Sequence, residues 1–354
     1  MIGALCYFKE VAVVIPGQTK DITAEWLNEA LHANGFLKDA RIVSLEHEPI
    51  AAGQGFMSDM AKLTVAYDRE ALNLPTTMIA KLPATSESAR AVAMQLNLYE
   101  REIRFYQEAA PKSPIRTPGL ICGEVDAANQ RYVLLLEDCS HCEQLDQTVG
   151  MDYEQAKLAA LKLADFHARW WDADDLGSFD WLPRPNDPVV MALVDIFKAC
   201  WDACAQNEGF RKMLPAGGWE AGLKLSEHYA WLIEDIPENN LTLSHIDYRA
   251  DNMFFDPDTP DDPLIVFDWG GTVIARGVTN LAYLLGGSLT IDLRRQVEKD
   301  LVKLYYQRLL DRGVSGYSYD ECWTDYLKGL LIFTIIAVLA FTTLDMSDPR
   351  GVEL

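Results

Sequence analysis

Basic residues are scarce in this chain: 31 Lys and Arg stand against 53 Asp and Glu, a net charge of −22. So acidic a surface lacks the footprint needed to wrap nucleic acid or hold an anionic bilayer. Long apolar runs are scarce too. Lys9 and Glu10 interrupt the N-terminal one, so no secretory signal is expected there. Leu330–Leu344 includes Thr334, Thr342 and Thr343 and falls short of the roughly 18–20 residues of a spanning helix. It reads as a buried C-terminal core helix. Internal repeats and low-complexity tracts are missing. The 7 cysteines are odd in number and scattered, which fits free thiols in a reducing cytoplasm better than a disulfide framework. Cys139-Ser140-His141-Cys142 has no second cluster to complete a four-ligand zinc site. The expectation is a soluble, cytoplasmic protein without nucleic-acid or membrane partners.

What is present is ordinary globular composition, 49% hydrophobic over 354 residues, enough for one large domain or two lobes. The first third reads as strands with one inserted helix. Arg41–Ala52, Met60–Tyr67 and Thr76–Leu82 have β-type composition, and Leu120–Glu124 and Tyr132–Glu137 follow later. Ser86–Glu108 has helical spacing, with Val92, Leu96, Tyr99, Ile103 and Tyr106 on one face. After Glu137 helices dominate: Tyr153–Trp171, Val189–Ala205, Gly218–Ile233, and again from Thr279, around one β island at Leu241–Trp269. Charge divides the same way. Residues 1–137 hold 13 basic and 17 acidic side chains, net −4, which leaves 18 and 36, net −18, for 138–354. The expected fold class is α+β and bilobal, with a β-rich N-lobe (1–137) and a mostly helical C-lobe (138–354).

The chemistry-bearing segment is His245-Ile246-Asp247-Tyr248-Arg249-Ala250-Asp251-Asn252. Met253-Phe254-Phe255, an acidic turn and the apolar run Leu264–Phe267 follow it and end at Asp268. A hairpin return would bring Asp247, Asn252 and Asp268 to one end of the island. Phosphoryl transfer needs such a trio. One carboxylate, Asp247, orients the attacking hydroxyl and accepts its proton. An amide and a carboxylate, Asn252 and Asp268, offer the oxygen donors that Mg²⁺ prefers. The competing reading is a polar turn whose side chains only cap backbone groups. An H-x-D-x4-N match arises by chance in roughly one chain in a hundred, and its place before a strand ending in Asp favours catalysis.

On these residues the chain resembles the aminoglycoside phosphotransferase and choline kinase family, the small-molecule branch of the protein-kinase-like fold. The resemblance implies ATP and Mg²⁺ in a cleft between the lobes. It makes Lys81 similar to the lysine that contacts the α- and β-phosphates. Glu102, three residues before Phe105-Tyr106, resembles the helix glutamate paired with that lysine. Glu100 competes, but points about 200° away on a helix, and the family pattern favours Glu102. Gly53 and Gly55 resemble the phosphate-covering turn; with a strand after them they are not a dinucleotide fingerprint. Leu134–Asp138 resembles the hinge whose backbone would bind adenine, with Glu137 and Asp138 at the cleft mouth. Arg249 either neutralises charge on the transferred group or pairs with Asp251 or Asp268 and stiffens the loop. His167, on a helix similar to the family's Leu-His-Ala element, is expected to be packed and hydrogen-bonded. Two positions depart from the family pattern: Ile246, where Gly is usual, and Asn280, where Asp is usual.

A protein kinase would need a long activation segment after Asp268, and the rapid passage into the helical Thr279–Leu285 leaves little room for one. The expected reaction moves the γ-phosphoryl of ATP to a hydroxyl of a small aminoglycoside-, choline- or other alcohol-type molecule. A sterol-like or hydroxyacyl thioester acceptor is the alternative, and a non-catalytic nucleotide-binding scaffold a further one. The acidic C-lobe suits a cationic acceptor, whereas Trp170, Trp171, Trp181, Trp201, Trp219 and Trp231 suit a ring-bearing one.

Overall fold

A computed structural model describes residues 14–50, 57–71, 74–235 and 239–343. They form two compact units. One comprises the described residues up to Pro111 with Pro118–His141, the other Lys112–Thr117 and the described residues from Cys142 onward.

The first unit opens with a helix the strand-rich reading did not foresee, α1 (Ala24–Ala33). Thr23 supplies its N-cap, accepting the Trp26 N–H at 3.1 Å. Strands β1 (Ile42–Pro49), β2 (Ser58–Tyr67) and β3 (Thr77–Pro83) follow. The expected single helix Ser86–Glu108 is broken into α2 (Glu87–Gln95) and α3 (Leu98–Arg104), with Phe105–Ala109 as a π turn. Asn97 makes the break at φ 53°, a left-handed conformation that asparagine tolerates. The break has a packing consequence: Val92 is left 43% exposed, while Tyr99, Ile103 and Tyr106 are buried. Strands β4 (Leu120–Asp126) and β5 (Arg131–Glu137) complete an antiparallel sheet of order β1-β2-β3-β5-β4. Its core face carries Leu63, Val65, Met78, Ala80, Leu82, Val133 and Leu135 against Trp26, Leu27 and Leu31 of α1. Since successive strand residues alternate in direction, Lys81 is turned away from that core.

The second unit begins with β6 (Glu143–Gln144) and α4 (Tyr153–Trp170). A reciprocal capping box between Asp152 and Gln155 starts α4. Helices α5 (Pro188–Met191), α6 (Leu193–Ala205), α7 (Glu208–Met213) and α8 (Gly218–Glu234) lead into the β island. The island is two small sheets rather than one. Strand β7 (Thr242–Ser244) pairs with β10 (Val273–Ala275), while β8 (Met253–Phe255) pairs with β6 and with β9 (Leu264–Val266). Helices α9 (Val278–Ser288), α10 (Ile291–Asp311), α11 (Tyr319–Ile332) and α12 (Thr334–Thr343) follow. The C-terminal apolar run thus spans parts of two helices that break at Phe333. It is also less buried than expected: Ile335 and Val338 are enclosed, but Leu331 and Leu339 are exposed. Tyr319–Thr342 is long and apolar enough by length and composition to cross a membrane, with 28% of its apolar window buried.

Most of the tryptophans pack helices. Trp201 lies between Phe197 and Trp219, with ring centroids 6.5 and 5.6 Å away. Gly222 on α8 makes room for it, because a Cβ there would lie 1.9 Å from the Trp201 ring. That ring is stacked and enclosed, so it has little freedom to give way. Gly222→Ala should therefore lower stability by about 1–3 kcal/mol through overpacking. The check is a fall in the urea midpoint at unchanged m-value.

Candidate active site

Strand β7 delivers the chain to a loop whose every turn is pinned. The backbone N–H of His245 donates to Asn280 Oδ1 on α9 at 3.0 Å, and its Nε2–H donates to the Phe267 carbonyl at 2.9 Å. The imidazole is enclosed, edge-on to Trp269 with centroids 4.4 Å apart. Ile246 then takes φ 69°, which explains why glycine suits this position. Asp247 follows, with its carboxylate held on both oxygens. Asn252 Nδ2 donates to Oδ2 at 2.8 Å and to the Asp247 carbonyl at 2.9 Å, and Arg249 Nε forms an ion pair with Oδ1 at 3.0 Å.

Asn252 commits its amide nitrogen to Asp247, so its amide oxygen is the end left to face a cation. Its backbone carbonyl accepts the Phe267 N–H at 3.1 Å, and Asp268 comes directly after, in the left-handed region at φ 63°. An amide oxygen and a carboxylate are hard donors that suit Mg²⁺. Arg249 also pairs with Asp251 at 3.1 Å and donates to Gln147 Oε1 at 2.7 Å. Burial would lower its pKa, but Asp247, Asp251 and Asp268 outweigh that and keep it charged. Its charge is thus engaged by the loop's own acids, and the Asp251 pairing follows the loop-stiffening expectation.

Three supporting residues went unmarked in the sequence. Gln147 holds Arg249. Ser288 on α9 accepts the Ala250 N–H at 3.0 Å. Tyr283 is also on α9, and burial, then the charge of Asp247, raise the pKa of its phenol. None belongs to a local pattern, and Gln147 is 102 residues from its partner. Beneath them His167 is enclosed, its Nδ1 2.8 Å from the Tyr305 hydroxyl, a packed core histidine as expected. Gly277 lets α9 approach it, because a Cβ there would meet His167 at 2.6 Å.

In the first unit, Lys81 of β3 pairs with Glu102 of α3 at 2.7–2.8 Å, the two side chains 14% and 5% exposed. Glu100 lies instead beside Arg104. Tyr99 braces the same region, accepting the Ala84 N–H at 3.0 Å and donating to the Met57 carbonyl at 2.6 Å. Glu137 caps Gly119 at 2.9 Å. The Asp138 carboxylate is taken up by Lys62 at 2.8 Å and by the Ser140 N–H at 3.0 Å. Burial would raise its pKa, but these partners overcome that and hold it at about 2. What this segment has to offer a ligand is therefore backbone. Gly53 and Gly55 lie outside the described residues.

A five-stranded antiparallel sheet with one helix-borne Glu–Lys pair, followed by a helical unit bearing this loop, is the protein-kinase-like fold of small-molecule phosphotransferases. Solved structures agree. Choline kinase from Cryptosporidium parvum Iowa II matches with a TM-score of 0.57 at 8% identity, over 93% of this chain and 90% of that one. A candidate aminoglycoside phosphotransferase from Ralstonia eutropha JMP134 gives 0.56 at 16% identity, over 93% and 92%. The GDP complex of an aminoglycoside 2'-phosphotransferase-IIIa variant gives 0.55 at 14% identity, over 92% and 95%. At these identities the likeness is one of fold. The ecdysteroid kinase-like family model matches residues 52–169 and 188–313. That is well over half of the sequence, and the chain belongs to this family. No curated protein matches it.

The enclosed histidines make a pH prediction. Burial lowers His167 from 6.5 to about 3, with the Asn280 side chain opposing, and burial also lowers His245. The unfolded chain therefore binds protons that the native state refuses, and stability is lost as pH falls from about 6.5. Between about pH 6 and 4.5 most carboxylates are still ionised, so this interval isolates the histidines. Urea midpoints should decline across it, and less steeply in His167→Gln.

Proposed function

We propose that this chain transfers the γ-phosphoryl group of ATP to a hydroxyl of a small molecule. The observation that carries the reading is the Asp247 carboxylate, held by Asn252 and Arg249 in a loop that continues to Asp268. Asp247 orients the acceptor hydroxyl and takes its proton as the oxygen bonds to phosphorus and the bond to ADP breaks. Mg²⁺ held by Asn252 and Asp268 would neutralise charge on the phosphates. Lys81, kept in place by Glu102, meets the α- and β-phosphates, and the backbone at Leu134–Asp138 meets adenine. Arg249 acts at the reacting centre through its contact with Asp247, which it orients. Most of the rate gain comes from position and charge, with no covalent intermediate on the protein.

The family description favours one acceptor class. An ecdysteroid is a polyhydroxylated steroid, so a sterol-like alcohol comes ahead of the aminoglycosides and amino alcohols named for the structural matches. ADP or GDP release from the Mg²⁺ nucleotides should be measured with ecdysteroids and sterols, aminoglycosides, amino alcohols and hydroxyacyl thioesters. Turnover with one class is expected, falling about 10²–10⁴-fold in Asp247→Asn, the usual contribution of a positioned base. Tight nucleotide binding without turnover on any compound, unchanged in Asp247→Asn, would favour a scaffold. Absence of nucleotide binding would remove the kinase reading.

A further inference from the structure

This inference rests on the phosphotransferase reading and deepens it at one residue. From β6 to the start of α4 the chain is tied down to the Asp247 loop and its surroundings. Gln144 Nε2 donates to the Asp251 carbonyl at 3.1 Å, and the Leu145 N–H to the Met253 carbonyl at 3.2 Å. Further along, the Met151 N–H donates to the Ser288 carbonyl of α9 at 2.7 Å. Gln147 stands between these anchors, in a turn folded over Asp146. The Asp146 carboxylate takes the Thr148 N–H and hydroxyl, both at 2.8 Å, and its backbone carbonyl takes the Val149 and Gly150 N–H groups. Gly150 closes the turn at φ 82°, a conformation that glycine adopts without strain. The backbone at Gln147 is therefore held on both sides.

From that fixed point Gln147 engages the loop twice. Its backbone N–H donates to Asp251 Oδ1 at 2.7 Å, and its side-chain Oε1 accepts from Arg249 Nη1 at 2.7 Å. Arg249 Nη1 also donates to Asp251 Oδ2 at 3.1 Å, so glutamine, arginine and aspartate close a ring. The same guanidinium places its Nε 3.0 Å from Asp247 Oδ1. Nη1 and Nε belong to one planar group, so what sets the direction of the first sets that of the second. Asp251 alone would leave the guanidinium free to turn about a single bond. We propose that Gln147 is a positioning residue for phosphoryl transfer: its Oε1 fixes the plane of the Arg249 guanidinium, and that plane fixes how Nε meets the Asp247 carboxylate. Arg249 and Asp247 share one short loop and move with it. Gln147, 102 residues from Arg249 in the chain, refers their contact to a separately anchored segment.

Gln147→Met keeps the length of the side chain and the backbone bond to Asp251, and removes only the acceptor. With Mg²⁺-ATP and an ecdysteroid acceptor, kcat should fall about tenfold, the usual size for one charge-assisted hydrogen bond, with KM for the nucleotide unchanged. The same substitution should have little effect in an Arg249→Met background, since Gln147 acts through the guanidinium. Wild-type kcat in Gln147→Met, or an equal loss in both backgrounds, in an assay where Asp247→Asn loses turnover, would overturn the proposal and leave the phosphotransferase reading intact. A readout independent of turnover is the ¹⁵Nε–¹H resonance that Arg249→Met removes. Gln147 meets Nη1 whereas Asp247 lies at Nε, so this resonance reports the far end of the guanidinium. It should move in Gln147→Met, and its indifference would overturn the proposal even if no acceptor had been found.

Discussion

In the role proposed for Asp247, a carboxylate must be held in one orientation by its neighbours and still keep a lone pair for the incoming proton, and the loop around Asp247 is built to that constraint. Asn252 donates to one oxygen and Arg249 forms an ion pair with the other, which leaves acceptor capacity on both. Those partners need holding in turn. Gln147 and Asp251 fix the guanidinium, and the paired backbones of Asn252 and Phe267 fix the amide. The loop would otherwise be a flexible polar turn. Its rigidity comes from strands β7 to β10 and helix α9, whose side chains satisfy its backbone groups.

The first unit meets a related problem with the opposite sign. Lys81 is a cation on a sheet face that must remain charged although largely enclosed, and Glu102 solves this at 2.7 Å. Breaking either side of such a pair leaves an uncompensated charge, typically a loss of 3–5 kcal/mol when the pair is buried. The position of Glu102 depends on the break at Asn97, which sets the rotation of α3 relative to α2. Asp138 shows the contrast. Its carboxylate is tied to Lys62 of the interior strand β2, so its charge is taken up by the sheet, and the segment after β5 presents backbone.

The sequence made local chemistry legible and left distant support hidden. His245 to Asn252 and Asp268 could be read because one loop and one hairpin carry them, with their spacing written in order. Lys81 and Glu102 could be placed through the resemblance, the one near the end of the third strand and the other three residues before Phe105-Tyr106. Gln147, Ser288 and Tyr283 could not be found, since each matters through a partner far along the chain and none forms a motif. Helix α1 was missed because its helical signal is short and its best marker is one threonine cap. The division of Ser86–Glu108 was missed because a single left-handed Asn97 leaves the apolar spacing on either side undisturbed. The C-terminal run looked like core from hydropathy alone. Its partial exposure depends on which helices pack against it, which composition does not encode.

Ile246 shows how far support can override local preference. A β-branched residue at φ 69° is strained by about 1–2 kcal/mol. Nothing in its own side chain favours that conformation, so the backbone on either side imposes it. His245 before it is fixed at two atoms. Gly271 packs so close behind that a Cβ there would lie 3.2 Å from the His245 carbonyl. The strain persists because releasing it would break the Asn280 and Phe267 hydrogen bonds together, each in an enclosed site where a lost partner costs as much as the strain or more. Asn280, which lacks the charge usual at its position, still supplies the acceptor oxygen that this balance requires. The loop's shape is therefore a property of α9 and β7–β10, and the setting of Asp247 depends on a residue as distant in sequence as Asn280.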